Sequence, residues 1–212
     1  MKLYSYYRSS CSYRVRIALN LKGLDYEYLP VNIVQGEQKG DAYLAHNPQG
    51  LVPALQLDGG DIIGQSTAIL EWLEENHPAP ALLPGDSLQR ARVRALTQSI
   101  ACDIQPLNNI AILNYLKRDL GASDAAVNDW YTAWIRRGFD AVEHTLASSS
   151  GDFCFGDQPG LADCYLVPQV YNADRFGIDT QDYRHIRRIY DHCLTLAAFA
   201  RAAPEAQPDA AS

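Results

Sequence analysis

The segment "NHPAPALLPGD", residues 76–86, is the strongest constraint on what this chain can fold into. Prolines at 78, 80 and 84 exclude a continuous helix or strand across it, so the stretches on either side must form their own cores. Its composition reads as an interdomain linker. Before it, extended and helical patterns alternate. Leu3–Tyr6 is extended, a helix is expected from about Ser10 to Lys22 with Gly23 closing it, and "YEYLPVNI" from Tyr26 to Ile33 is extended again. After a polar stretch with Gly36 and Gly40, the pattern gives a strand, a turn at Asp58-Gly59-Gly60, a second strand and a helix from Ser66. That helix carries Ile69, Trp72 and Leu73 on one face and acidic residues on the other. A βαβ unit followed by ββα is the thioredoxin-like arrangement.

After residue 86 the chain reads as helical. One stretch runs from Ser87 to about Lys117, with Pro106 expected to kink or break it. Another runs from about Ser123 through Trp130, Trp134 and Phe139 to Ala147, and shorter ones are expected at Leu161–Ala173 and Tyr183–Ala202. The tail "PEAQPDAAS" reads as frayed and unstructured. The expected architecture is α/β plus all-α, with a first domain over residues 1–80 and a helical domain over residues 87–212.

Composition narrows the function classes. The 212 residues are 47% apolar and 20% charged, enough for sizeable cores, and the net charge of -7 disfavours nucleic acid and acidic membranes as partners. No apolar run approaches the length of a bilayer span, and "MKLYSYY" is followed by no apolar signal segment. Cysteines 11, 102, 154, 164 and 193 form no close pair and show no zinc spacing, which points to a reducing compartment and a cytoplasmic protein.

The candidate chemistry centres on "YYRSSCSYRVRIAL". Cys11, Val15, Ala18 and Leu19 fall on one helix face, so Ser9, Ser10 and Cys11 stand at the helix N-terminus. Cys11 reads equally as a buried small hydrophobe or as a thiol activated by the helix end. A dithiol exchange would need a second cysteine at position 14, where Arg14 stands. Ser9 and Ser10 read first as N-cap residues, yet capping needs only one hydroxyl and the other could stabilise a ligand thiolate. In "GLVPAL", a cis Val52-Pro53 bond would turn the Val52 backbone outward toward a peptide-like ligand; an edge-strand proline is the plain alternative. "GQSTAIL" offers Gln65 and Ser66 at a second helix start, suited to a carboxylate. Arg8 and Arg175 read first as solvated and second as carboxylate binders.

The elements "YYRSSCSYRVRIALNLKGL", "NPQGLVPAL", "GQSTAILEWLEE", "IQPLNNIAILNYL" and "GDQPGLADCYLVPQVYNADRF" together resemble the zeta-class glutathione transferases, over Leu3 to about Ala202. "SSCS-x-R-V-R" is the specific part. The resemblance implies a thioredoxin-like glutathione-binding domain, a helical glutathione-transferase C-terminal domain and a homodimer. It also implies a glutathione-dependent cis-trans isomerase, acting on a small dicarboxylic keto acid such as maleylpyruvate or maleylacetoacetate. Ser9 then matches the hydroxyl facing the glutathione sulfur, with Ser10 and Cys11 beside it. Val52 and Pro53 match the segment pairing with the glutathione backbone, and Gln65 and Ser66 the clamp on its γ-glutamyl carboxylate. Asn108 matches a cofactor position commonly held by Gln, and Arg8 and Arg175 match the substrate's carboxylates. One departure is Gly160, standing where a Ser or Thr cap is usual. A conjugating transferase or a monothiol reductase using Cys11 remains open, as does a non-catalytic interaction module.

Overall fold

Four short strands carry the first unit: β1 (Lys2–Ser5), β2 (Glu27–Pro30), β3 (Ala54–Gln56) and β4 (Ile62–Gly64). The computed structural model describes residues 1–210. The sheet order is β2-β1-β3-β4, with β1 and β2 parallel and the two remaining pairings antiparallel. Leu3 pairs with Tyr28 on one side and Leu55 on the other, and Leu3 and Leu55 are fully buried. A right-handed crossover through α1 (Ser10–Leu21) is what a parallel β1–β2 pair requires. Gly23 ends α1 at φ 65, a conformation only glycine adopts cheaply, and lets Leu24 N–H bond back to the Leu19 carbonyl.

The polar stretch around Gly36 contains two elements that its composition hides: a 3-10 turn at Glu37–Lys39 and the one-turn α2 (Asp41–Leu44). The α3 helix (Ser66–Asn76) packs against α1. Its buried face is Ile69, Leu70 and Leu73; Trp72, expected there, is half-buried. Glu74 is the larger departure from a solvated acidic face. It is buried and takes the Lys22 ammonium at 2.9 Å, while Lys22 also donates to the carbonyls of His77 and Pro80. The Glu74 carboxylate accepts Leu82 N–H at 2.9 Å as well. The first part of the proline-rich segment is therefore bonded to its own unit instead of forming a loose tether.

The described chain divides into two compact units, 1–82 together with 194–210, and 83–193. Helices α4 (Ser87–Asp103), α5 (Ile110–Arg118), α6 (Asp124–Ser149), α7 (Leu161–Arg175) and α8 (Arg184–Leu194) make up most of the second unit. Residues 104–109, containing Pro106, separate α4 from α5, so the proline marks a break. The expected Tyr183–Ala202 helix is split into α8 and α9 (Ala197–Ala202), and α9 packs on α1 in the first unit. This is why α1 is buried on nearly every side instead of on one face, with Cys11 the half-exposed residue of its first turn.

The tail is also unlike its expectation. Residues 204–210 are ordered: a 3-10 turn at Pro204–Ala206 buries Pro204, and the Gln207 side chain donates to the carbonyls of Arg201 and Ala203. Residues 211 and 212 of that tail lie outside the described residues.

The Gly160 departure has a visible compensation. Gly160 has no side chain with which to cap α7, but the buried Asp163 carboxylate reaches back to Gly160 N–H at 2.8 Å and takes Cys154 N–H at 2.9 Å. Asp163→Ala strands both donors, and a loss of about 2–4 kcal/mol is expected in urea unfolding.

Candidate active site

Strand register brings three chain segments to one end of the sheet. Tyr4 pairs with Ala54, and Ala54 with Gly64. One or two residues further on, the chain reaches Tyr6 after β1, Val52–Pro53 before β3 and Gln65 after β4. Helices α1 and α3 start from this end, and neither carries an acidic residue in its first turn. Two positive helix ends therefore lie at this end of the sheet, neither with an acidic side chain in its own first turn.

Ser9 is the residue that caps α1. Its backbone is extended (φ -68, ψ 117), and its hydroxyl oxygen accepts Ser12 N–H at 3.2 Å. Accepting uses a lone pair, so the Ser9 O–H remains able to donate elsewhere. Capping and anion binding are thus compatible in one serine. Ser10 is the first helical residue and is buried.

The second helix start is built differently. Gln65 has φ 65 and ψ 114, the one positive φ outside glycine among the described residues, and its side chain makes no cap bond. It bonds instead to Gln49 Oε1 at 2.8 Å, a partner that residue type alone did not single out. The N-cap side chain of α3 is thus turned away from the helix's first amides. Ser66, buried beside them, accepts from the Arg14 guanidinium at 3.4 Å. Arg14, where a second cysteine would stand in a dithiol enzyme, is 1% exposed and brings positive charge under this helix end.

The Val52–Pro53 bond is cis. The β3 ladder begins at Ala54, leaving Val52 outside it. The preceding Leu51 carbonyl is fixed from two sides, by Tyr43 O–H at 2.6 Å and Asn47 Nδ2 at 2.8 Å. Burial pushes the Tyr43 hydroxyl up to about 12, so it stays a donor.

Of the arginines in the motif, only Arg8 is exposed. It donates to Tyr6 O–H oxygen at 3.2 Å and lies over the Tyr7 ring, 4.8 Å from its centre. Burial raises the Tyr6 pKa against the opposing pull of Arg8. Arg8, Tyr6, Tyr7, Asn32 and Asp209 line a cleft of about 560 Å³. Arg16 is fully buried and bonds the carbonyls of Tyr6, Tyr7 and Ala202 and the Ser5 hydroxyl. The remaining candidates belong to the helical unit. Asn108 is buried and donates to the Tyr131 carbonyl at 3.2 Å. Arg175 is exposed at the end of α7, over the Phe176 ring, which itself stacks on Tyr131 at 3.8 Å.

The fold and this pair of helix starts define a glutathione transferase. Residues 8–76 match the family description "Glutathione S-transferase, N-terminal domain", and residues 124–192 match "Glutathione S-transferase, C-terminal domain". A maleylpyruvate isomerase of Ralstonia sp. is 54% identical over 213 residues, covering 100% of both chains. The solved holo structure of a maleylpyruvate isomerase, described as a bacterial zeta-class enzyme, superposes with a TM-score of 0.96 at 55% identity, covering 99% of each chain. A maleylacetoacetate isomerase of Anaeromyxobacter dehalogenans, solved with dicarboxyethyl glutathione and citrate in its active site, gives 0.89 at 46% identity, covering 99% of this chain and 96% of that one. The chain belongs to the glutathione transferase family, in the zeta class that includes the maleylpyruvate and maleylacetoacetate isomerases.

The Gln65 backbone gives a direct test. Relieving a positive φ is worth about 1–3 kcal/mol, less the entropy glycine adds to the unfolded chain. Gln65→Gly is expected to stabilise the protein by about 1 kcal/mol in thermal unfolding while weakening glutathione binding, whereas Gln65→Ala shows only the second effect.

Proposed function

We propose that this protein is a glutathione-dependent cis-trans isomerase converting maleylpyruvate, or the longer maleylacetoacetate, to its fumaryl isomer in the breakdown of aromatic compounds. The observation that carries the reading is that two helix N-termini without an acidic residue in their first turns start from one sheet end, one of them capped by a serine whose proton is still available. When bound, glutathione would supply a thiolate that adds reversibly to the conjugated cis double bond and departs once that bond has turned, so it is not consumed.

The chain's own groups have separable tasks. Ser9 donates its O–H to the sulfur and, with the α1 N-terminus, favours the thiolate over the thiol. The first amides of α3, with Gln65, Ser66 and the charge of Arg14, hold the γ-glutamyl carboxylate. Val52 offers backbone groups outside the ladder to the peptide part of the cofactor. Arg8 holds one substrate carboxylate and stabilises negative charge developing on the conjugated carbonyl oxygen, and Arg175 is assigned the other carboxylate. Asn108 is assigned a supporting contact to the cofactor. Holding both carboxylates keeps the substrate in place while the double bond turns, which favours isomerisation over release of a conjugate. The arginine pair suits the more compact acid, maleylpyruvate. A homodimer is the proposed assembly, and a thiol cofactor suits a reducing, cytoplasmic compartment.

Two experiments check this. Ultraviolet absorbance with each maleyl acid should show complete conversion at glutathione far below the substrate concentration; stoichiometric consumption of glutathione would instead indicate a conjugating transferase. Ser9→Ala should lower kcat by about a hundredfold, while Cys11→Ala should leave most activity. The reverse ranking would move the chemistry to Cys11.

A further inference from the structure

The C-terminal segment makes a connection to the active-site loop that its composition does not suggest. Asp209 accepts Tyr7 N–H on Oδ2 at 3.1 Å and Tyr28 O–H on Oδ1 at 2.7 Å. The carbonyl of the same residue, Tyr7, accepts Arg16 Nη2 at 2.9 Å. Both backbone groups of the residue immediately before Arg8 are thus held from outside the loop, one by the C-terminal segment and one by α1. Arg16 ties the same region to the C-terminal helix through the Ala202 carbonyl at 2.9 Å. Asp209 and Arg8 line one cleft, together with Pro208.

From this geometry we propose that Asp209 is a positioning residue, which fixes the Tyr7 peptide so that the exposed Arg8 guanidinium is presented to a carboxylate. The proposal rests on the assignment of Arg8 to a substrate carboxylate made above. It separates Arg8 from Ser9, because the Ser9 hydroxyl is tied to α1 by capping Ser12 N–H at 3.2 Å, and the Tyr6 carbonyl that accepts Ser9 N–H is also held by Arg16 Nη1 at 3.5 Å. Loss of Asp209 should therefore weaken dicarboxylate binding and leave glutathione binding unchanged. The segment itself does not depend on Asp209 for its place, since buried Pro204 and the two Gln207 side-chain bonds hold it.

The test uses the full chain and its Asp209→Ala and Asp209→Asn variants, with malonate as the probe. Calorimetric affinities for glutathione, and for malonate in the presence of saturating glutathione, are compared with KM and kcat for maleylpyruvate. The expected result for Asp209→Ala, which removes both the Tyr7 and the Tyr28 bond, is malonate binding and KM each weakened about tenfold, with glutathione affinity unchanged. Asp209→Asn should recover most of this, because its amide oxygen can still accept from Tyr7 N–H and its nitrogen can donate to the Tyr28 oxygen. Wild-type malonate affinity in Asp209→Ala overturns the proposal, as does an equal loss of glutathione affinity or a wild-type protein that does not bind malonate. If malonate binding responds as expected but no maleyl acid is isomerised, the positioning role stands and the proposed reaction falls.

Discussion

The buried guanidinium of Arg16 is the interaction on which the first unit depends. A charge taken wholly out of water is tolerable only when its donors are satisfied, and here they meet three carbonyls and a hydroxyl. Those acceptors belong to β1, to the loop after it and to α9. One side chain therefore sets how the strand end, the loop bearing Arg8 and Ser9 and the C-terminal helix are arranged. Burial pulls its pKa down, yet the surrounding tyrosines and Asp209 oppose that pull.

Arg14 plays the equivalent part between the two helix starts. Its bond to Ser66 links α1 to the beginning of α3, so the two positive helix ends are held by the same side chain that adds to their charge. An arginine there does more than remove a resolving cysteine from a dithiol pair. It changes the chemistry the position can support, from exchange at the protein's own sulfur to stabilisation of an anion brought in by a ligand. Cys11 keeps its place in the first turn without a second thiol near it in sequence.

The elements whose signals are local were legible in the sequence. The α1 and α6 starts followed from Ser9 and Ser123, which both cap as residue type suggests, and Pro106 ended α4. The cis bond at Pro53 was legible only as one of two options. What was not legible depends on partners distant in sequence. Nothing local marks the arginines at 14 and 16 as buried: Arg14 reaches Ser66 at the start of α3, and Arg16 reaches Ala202 in α9. The tail looked frayed because proline, alanine and aspartate carry no periodicity. Its order comes from buried Pro204 and the two Gln207 side-chain bonds, and Asp209 adds bonds to Tyr7 and Tyr28 far earlier in the chain, none of which local propensity reports. Gln49 was hidden for the same reason, since its partner Gln65 lies across the sheet end.

The central claim is that Ser9 and the α1 N-terminus, not Cys11, lower the pKa of a thiol brought to this site. Ultraviolet titration of the thiolate of glutathione bound to the wild type, to Ser9→Ala and to Cys11→Ala tests it most directly. The account expects the bound thiol of the wild type to titrate at least about one unit below the ordinary thiol value of roughly 8.5, that of Cys11→Ala to do the same, and that of Ser9→Ala to return toward the ordinary value. A low thiol pKa that survives in Ser9→Ala, or that disappears in Cys11→Ala, would contradict it.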